Sequence, residues 1–248
     1  MPGNDPTFCR FSGERAEAEA PLIAVIGSDG AGKTTLASYL CNALKAEGAS
    51  YSYLGLGSGT IGLKIGAWPL IGPLLERHLT SKARQARTVG ERIPGFFTAL
   101  TIYVFSRLRV RRFKQMLNKR KKVGLVICDR YPQIEVPGFY DGPGLSAARP
   151  SGYLTAWLAV EELALYQRMA LHRPTLVIRL NIDVETALAR KPDHNPALIK
   201  RKVDVTPLLL FNGARIVDVD ASLPLSEVQS NCLELIRQTL RPNRSPAG

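Results

Sequence analysis

Cysteine and histidine are scarce in this 248-residue chain, and neither clusters. Cys9, Cys41, Cys128 and Cys232 stand far apart with no C-x-x-C pair, and His78, His172 and His194 are equally scattered. That spacing gives no support to a zinc site or a disulfide framework and points to reduced thiols in a cytoplasmic protein. Long apolar runs are missing too. The two longest, 61–75 (broken by Lys64, Pro69 and Pro73) and 95–105, fall short of the roughly 20 residues that cross a bilayer. Residues 1–20 hold no apolar core of the kind a secretory signal needs, so they are expected to be a flexible tail, as are 241–248. Acidic residues are in deficit, 21 against 33 Lys and Arg, leaving a net charge of +12. Such an excess calls for anionic partners: nucleotides, phosphorylated metabolites, nucleic acid or an acidic membrane surface.

What is present is a core. Hydrophobic residues make up 45% of the chain and charged ones 22%, as in an ordinary globular protein. Pro21–Gly27 (PLIAVIG), 123–129 (VGLVICD) and Thr175–Leu180 (TLVIRL) are apolar without alternation, which suits strands buried on both faces of a parallel sheet. Strands are also expected at 51–56 and 215–219. Helices are expected at 33–47, stopped by Gly48, and from Phe96 to about Lys121 with Phe97, Leu100, Val104 and Leu108 in line. Further helices are expected at 153–171, at 183–189 capped by Asp183, and at 226–240 with Ser226 as the cap. Residues 57–95 resist assignment. The alternation predicts an α/β doubly wound parallel sheet in a single domain over 21–240. Ligands of such sheets sit at the carboxyl ends of the strands.

The most informative residues fall there. Gly27-Ser28-Asp29-Gly30-Ala31-Gly32-Lys33-Thr34 fits G-x-x-x-x-G-K-[ST], placed between a buried strand and an amphipathic helix as that motif demands. The glycines let backbone N–H groups turn inward around an anion, and the positive end of the following helix faces the same point. Lys33 would hold the β and γ phosphates of ATP, Thr34 would join a Mg²⁺ shell, and Thr35 can reach a more distal oxygen.

With GSDGAGKTT at 27–35 and CDRYP at 128–132 both in place, the chain resembles the thymidylate kinase family over roughly residues 21–240. The resemblance implies a P-loop nucleotide-kinase fold, Mg²⁺ and ATP as donor, and a mobile lid at about 190–203. It implies that Asp29 addresses the acceptor's sugar hydroxyl, though an N-cap role is the plainer alternative. Asp129, at the tip of a buried strand, suits a metal ligand or a base, and Arg130 a fork on a phosphate; a structural Asp–Arg pair competes with both. Gly30 stands where some members carry arginine, so the catalytic cation is expected from the lid, with Arg190 and Arg201 as candidates. A solvated basic helix is the competing reading there. Asp220 and Ala221 resemble the loop beneath the adenine ring.

Two departures concern the acceptor. Gly55-Leu-Gly-Ser-Gly-Thr60 replaces the family's R-E-P-G-G-T-like stretch, and Pro132–Pro137 (PQIEVP) replaces its S-x-x-A-Y-Q. A polar site that loses its contacts loses its selectivity, so these changes point to a different acceptor. Three functions follow: a kinase acting on a nucleoside monophosphate or similar phosphorylated small molecule, a kinase of a sugar, sugar phosphate or glycan precursor, or a nucleotide-dependent switch. The resemblance also implies a homodimer. Residues 107–122 (RLRVRRFKQMLNKRKK) carry nine basic residues and no acid. They read as a solvated helix face, or as a surface for an anionic substrate or anionic membrane. Nucleic acid is disfavoured because no aromatic ladder accompanies them.

Overall fold

The structure is a computed structural model and describes residues 19–55, 95–138 and 141–241. Residues 1–18 and 242–248 of the expected tails, residues 56–94 and most of the Gly55–Thr60 departure therefore lie outside the described residues. Ala20 of the expected N-terminal tail, by contrast, is buried and accepts from Arg120. Five strands alternate with helices: β1 Leu22–Gly27, α1 Lys33–Ala43, β2 Ala49–Tyr53, α2 Phe96–Arg120, β3 Leu125–Asp129, α3 Tyr153–Ala170, β4 Leu176–Asn181, α4 Val184–Arg190, α5 Pro196–Val205, β5 Ile216–Asp220 and α6 Leu225–Leu240. All pairings are parallel, in the order β2-β3-β1-β4-β5.

The apolar runs of β1 and β3 are buried at every position, because each face of the sheet is covered. Alternate side chains leave a strand in opposite directions, so one run feeds two cores. Ile23, Val25, Ile127 and Ile178 meet Leu36 and Leu40 of α1 and Val228, Cys232 and Ile236 of α6. Leu22, Ala24, Val126 and Val177 meet Phe113 and Met116 of α2 and Tyr166 and Met169 of α3. Each fully buried Leu, Ile or Phe contributes about 1.5–3 kcal/mol, so this sandwich holds the strand ends rigidly. β1 lies between β3 and β4. The chain leaves β1 through α1 toward β2 on one side and later crosses from β3 through α3 to β4 on the other, and this reversal opens a crevice at the carboxyl ends of β1 and β3.

Several expectations shift. The first helix stops at Ala43 rather than residue 47, followed by turns that reach Gly48 in a left-handed conformation (φ 74°). The second strand is Ala49–Tyr53, two residues earlier than the composition of 51–56 indicates, because Tyr53 pairs with Asp129 and ends the ladder. The last helix starts at Leu225 behind Pro224, and Ser226 makes no cap. Asp183 does cap α4, accepting from the Thr186 N–H at 2.7 Å.

The largest correction concerns α2. Phe97, Leu100 and Val104 are exposed, while Thr98, Ala99, Ile102, Ser106, Arg109, Phe113 and Met116 form the buried stripe. Both stripes have helical spacing, and the less apolar one packs because Ser106 and Arg109 find buried partners. Ser106 donates to Glu162 of α3 at 2.5 Å, and the Arg109 guanidinium meets Asp141. Among the described residues no helix is long and apolar enough to cross a membrane.

Candidate functional site

The loop between β1 and α1 turns through Gly27, Gly30 and Gly32, all at positive φ. Gly30 is required twice over. Its φ is 89°, and a Cβ there would stand 2.9 Å from the Ala187 carbonyl of α4. The packing of α4 thus closes position 30 to any side chain. The Ala31 N–H closes a turn on the Ser28 carbonyl at 3.2 Å. The N–H groups of Lys33, Thr34 and Thr35 lie in the first turn of α1, where no intrahelical acceptor exists and the helix dipole is positive. Lys33 folds its ammonium back over this loop and donates to the Ser28 carbonyl at 2.8 Å. Burial pushes its pKa down and nearby Arg130 adds to this, with Asp129 and Asp29 opposing. A cation held short of full compensation, above a ring of N–H donors, is a receptor for a polyanion.

Asp129 ends β3, and the β1–β3 register sets it beside Val25, directly below the loop. Thr34 Oγ1 donates to Asp129 Oδ2 at 2.7 Å, across 95 residues of sequence. The other oxygen, Oδ1, is buried and has no partner. Burial raises the pKa of this carboxyl, and the Thr34 hydrogen bond, Lys33 and Arg130 only partly counter it. An under-compensated carboxylate paired with a hydroxyl offers hard oxygen ligands, the kind Mg²⁺ takes alongside phosphate. These residues fit the ion.

Arg130 adopts the left-handed backbone region (φ 62°), which re-aims its side chain from the strand end into the crevice. Its Cδ and the Tyr53 hydroxyl press so closely on Gly55 that a Cβ there would meet them at 2.3 and 2.5 Å. Arg112 donates to the Gly55 carbonyl from α2. Arg109, 4% exposed, donates to the Asp141 carbonyl at 2.7 Å and to its Oδ1 at 2.5 Å, and lies over the Tyr166 ring. Arg130 Nη2 stands 3.9 Å from Asp29 Oδ1. Arg130 therefore faces the loop across the crevice, with Arg112 behind it on Gly55, while the Arg109 guanidinium is buried against Asp141.

Of the sequence-predicted residues, the structure brings Gly27–Thr34, Asp129 and Arg130 together. Thr35 is exposed on the first turn of α1. Arg190 joins two carbonyls, donating to Gly30 at 3.3 Å and Ala221 at 2.9 Å, so it ties the glycine loop to the β5–α6 connection. Ala221 is buried, and Asp220 accepts from the Ser222 N–H at 2.8 Å. Arg201 sits on α5, and its neighbour Lys202 ion-pairs with Asp29 of the loop. Burial alone would raise the Asp29 carboxyl; Lys202, Lys33 and Arg130 outweigh it and hold the pKa below the ordinary range. Asp29 is thus no N-cap, and α1 has no side-chain cap at all.

Lys202, Arg109 and Asp141 were not singled out by sequence reasoning. Asp141 carries no local signal. Arg109 does, since it falls on the spacing of Ile102, Phe113 and Met116. Within the basic segment, Arg109, Arg112, Lys119 and Arg120 are engaged internally, Lys119 with the Tyr51 carbonyl and Arg120 with Ala20 and Glu19. Arg107, Arg111, Lys114, Lys121 and Lys122 remain exposed.

A five-stranded parallel α/β sheet with an anion-receptive glycine loop at its central strand defines a class of nucleotide-binding proteins. No family model matches the chain. It is 44% identical over 221 residues to "Uncharacterized ATP-binding protein YghS" of Escherichia coli K12, covering 88% of this chain and 93% of that protein. It is 42% identical over 209 residues to "Uncharacterized ATP-binding protein YghR" of the same strain, covering 84% and 83%. YghR of E. coli O6:H1 matches to the same extent. The chain belongs to this family of ATP-binding proteins.

Proposed function

We propose that the chain is a P-loop kinase of the doubly wound, thymidylate kinase-like class, which moves the γ-phosphoryl group of ATP to a phosphorylated small molecule. The observation that carries this reading is the Thr34–Asp129 contact with its orphaned carboxylate oxygen, set between Lys33 and Arg130. A nucleotide switch also uses the loop, the lysine and a metal-ready carboxylate; the strained arginine delivered to the same point is what a transfer site adds. The ATP-binding names of the relatives agree with the donor.

In this reading the loop N–H groups and Lys33 bind and orient the triphosphate. Thr34 and Asp129 would hold Mg²⁺, which supplies charge neutralisation between the phosphates. Arg130 receives the acceptor's phosphate and aligns it with the γ-phosphorus. An acceptor phosphate oxygen attacks, the bond to the β–γ bridging oxygen breaks, and ADP leaves with the electron pair. Because a phosphate nucleophile is already ionised at neutral pH, no base is required, and catalysis is positioning with charge stabilisation. Arg130, with Arg112 behind it on the Gly55 carbonyl, favours an acceptor that carries a phosphate. A nucleoside monophosphate is the first candidate. A sugar phosphate is the second, favoured by the Gly55 contacts that fill the place of the family's acceptor-reading Arg and Glu.

ADP release measured with Mg-ATP over a panel of nucleoside monophosphates and sugar phosphates tests this. Turnover with one acceptor, lost in Lys33→Ala, is expected. Normal ATP binding with no transfer to any phosphorylated acceptor would sink the kinase reading and leave a nucleotide-dependent switch.

A further inference from the structure

Asp29 is a carboxylate in the middle of a loop shaped for anions. It sits within ion-pair distance of Lys202 and 3.9 Å from Arg130, with Lys33 close enough to lower its pKa. Three cations from three different elements therefore converge on one carboxylate. Two of them, Lys33 and Arg130, have been assigned to phosphates above. The carboxylate occupies the place of an anion, and the third cation is parked on it.

Of the residues nominated from sequence, Arg190 does not fill this role. Arg190 spends its guanidinium on two backbone carbonyls. Arg201 precedes Lys202 on α5 and is therefore turned roughly 100° around the helix. Lys202 has the means to change partner. Its helix is seated by buried Ile199 and half-buried Val203, and Thr206 Oγ1 donates to the Lys202 carbonyl at 2.8 Å. The backbone is thus fixed while the four-carbon stem, 30% exposed, has room to change rotamer. Lysine is a compact point charge with three rotatable donors, suited to moving between acceptors where a guanidinium fork would be tied to one.

We propose that Lys202 is the lid cation of this site, parked on Asp29 in the nucleotide-free protein and displaced onto the terminal phosphate of a bound triphosphate. The exchange frees Asp29 to accept a hydrogen bond from the acceptor. This rests on the reading that the 27–34 loop holds a triphosphate. It makes the terminal phosphate, and not the nucleotide in general, the group that arms the lid.

Calorimetry with Mg²⁺ and either ADP or a non-hydrolysable ATP analogue tests it in wild type, Lys202→Met, Asp29→Asn and the double variant. Lys202→Met is expected to weaken the triphosphate about 3- to 10-fold, the scale of one charge-assisted hydrogen bond reduced by the lost Asp29 pair, and to change the diphosphate less than about twofold. In the Asp29→Asn background no carboxylate competes, so the same substitution should weaken the triphosphate about 10- to 100-fold. Lys202→Arg should restore at least half of the loss. Equal losses for di- and triphosphate, no loss in Lys202→Met, or the same loss in both backgrounds overturns the proposal. Failure of wild type to bind either nucleotide would instead refute the reading of the loop, so the two failures are distinguishable. Cooperative melting transitions well above the assay temperature confirm that the comparison is between folded proteins.

Discussion

Replacing Arg109 by methionine tests whether the basic run in α2 is a surface feature or part of the site's frame. The guanidinium is 4% exposed and makes two hydrogen bonds to Asp141, whose side chain is 14% exposed. Methionine fills most of the stem's volume, so little cavity is left. What remains is a half-buried carboxylate that has lost its guanidinium partner. Breaking a buried ion pair by removing one partner costs about 3–5 kcal/mol. Asp141 keeps some access to water, which favours the lower end, about 3 kcal/mol. For a chain of this size each kcal/mol moves the melting temperature by about 2–4 °C, so a fall of about 6–12 °C is expected by calorimetry. Asp141 has φ 62°, so its deletion should be made with glycine, which accepts that backbone. The double variant Arg109→Met/Asp141→Gly leaves no unpaired charge and should recover at least about 1.5 kcal/mol relative to the sum of the single losses. A single Arg109→Met that melts within about 2 °C of wild type, or losses that simply add, would refute the buried-pair argument.

Other consequences can be checked separately. Asp129→Asn should reduce the affinity of the Mg²⁺–ATP complex by about tenfold or more while leaving metal-free ATP binding within about twofold, since only the metal ligand is lost; equal effects with and without Mg²⁺ would count against it. Asp29 has a folded-state pKa below its ordinary value, set by Lys202, Lys33 and Arg130 against opposing burial. Its stabilising contribution is therefore present above the ordinary carboxylate range and lost as pH falls through the folded value. The melting-temperature deficit of Asp29→Asn should be full at neutral pH and close below about pH 4. Burial pushes the Cys128 thiol far up and the Cys232 thiol up to about 11. At pH 8 both should be inert to a disulfide reagent in the native protein and titrate only on unfolding, a result that a loosely packed sheet would not give.

Much of the frame was legible because buried parallel strands advertise themselves. LIAVIG, LVICD and LVIRL are continuous apolar runs that only a doubly covered sheet can bury, and each ends where the chemistry begins. The glycine loop was equally legible, since its residues are dictated by backbone geometry and not by distant partners. The α2 face was not. Phe97, Leu100 and Val104 outscore Ser106 and Arg109 on any hydrophobic count, yet the latter pack inward because Glu162 and Asp141, 56 and 32 residues away, satisfy them. Lys202 was hidden for a related reason: a run such as Lys200-Arg201-Lys202 does not say which member faces Asp29, and that depends on how Ile199 seats the helix.

Backbone strain is concentrated on the side of the crevice that the proposed function gives to the acceptor. Among the described residues, the non-glycine positions at positive φ are Arg130, Asp141, Phe211 and Asn212. All of them border one segment. Arg130 and Asp141 lie at its two ends, Phe211 packs edge-on against Tyr131, and the Asn212 N–H donates to Glu135 at 3.0 Å. A left-handed backbone costs an ordinary side chain about 1–2 kcal/mol, less for Asp and Asn, so it survives only where surrounding contacts over-determine it. Here they do: Arg109 grips Asp141, Glu162 accepts from the Leu145 N–H at 2.6 Å, and Gln133 spans to Val136 through two bonds of 2.8 Å. The phosphate loop, by contrast, takes its positive φ values on glycine, at no such cost. If the strain serves recognition, β-branched residues at 130 should lower stability about 1–2 kcal/mol more than glycine there, while either change removes acceptor binding and spares ATP. Loss of ATP affinity in Arg130→Gly would place the arginine on the donor and remove the distinction between the two halves of the crevice.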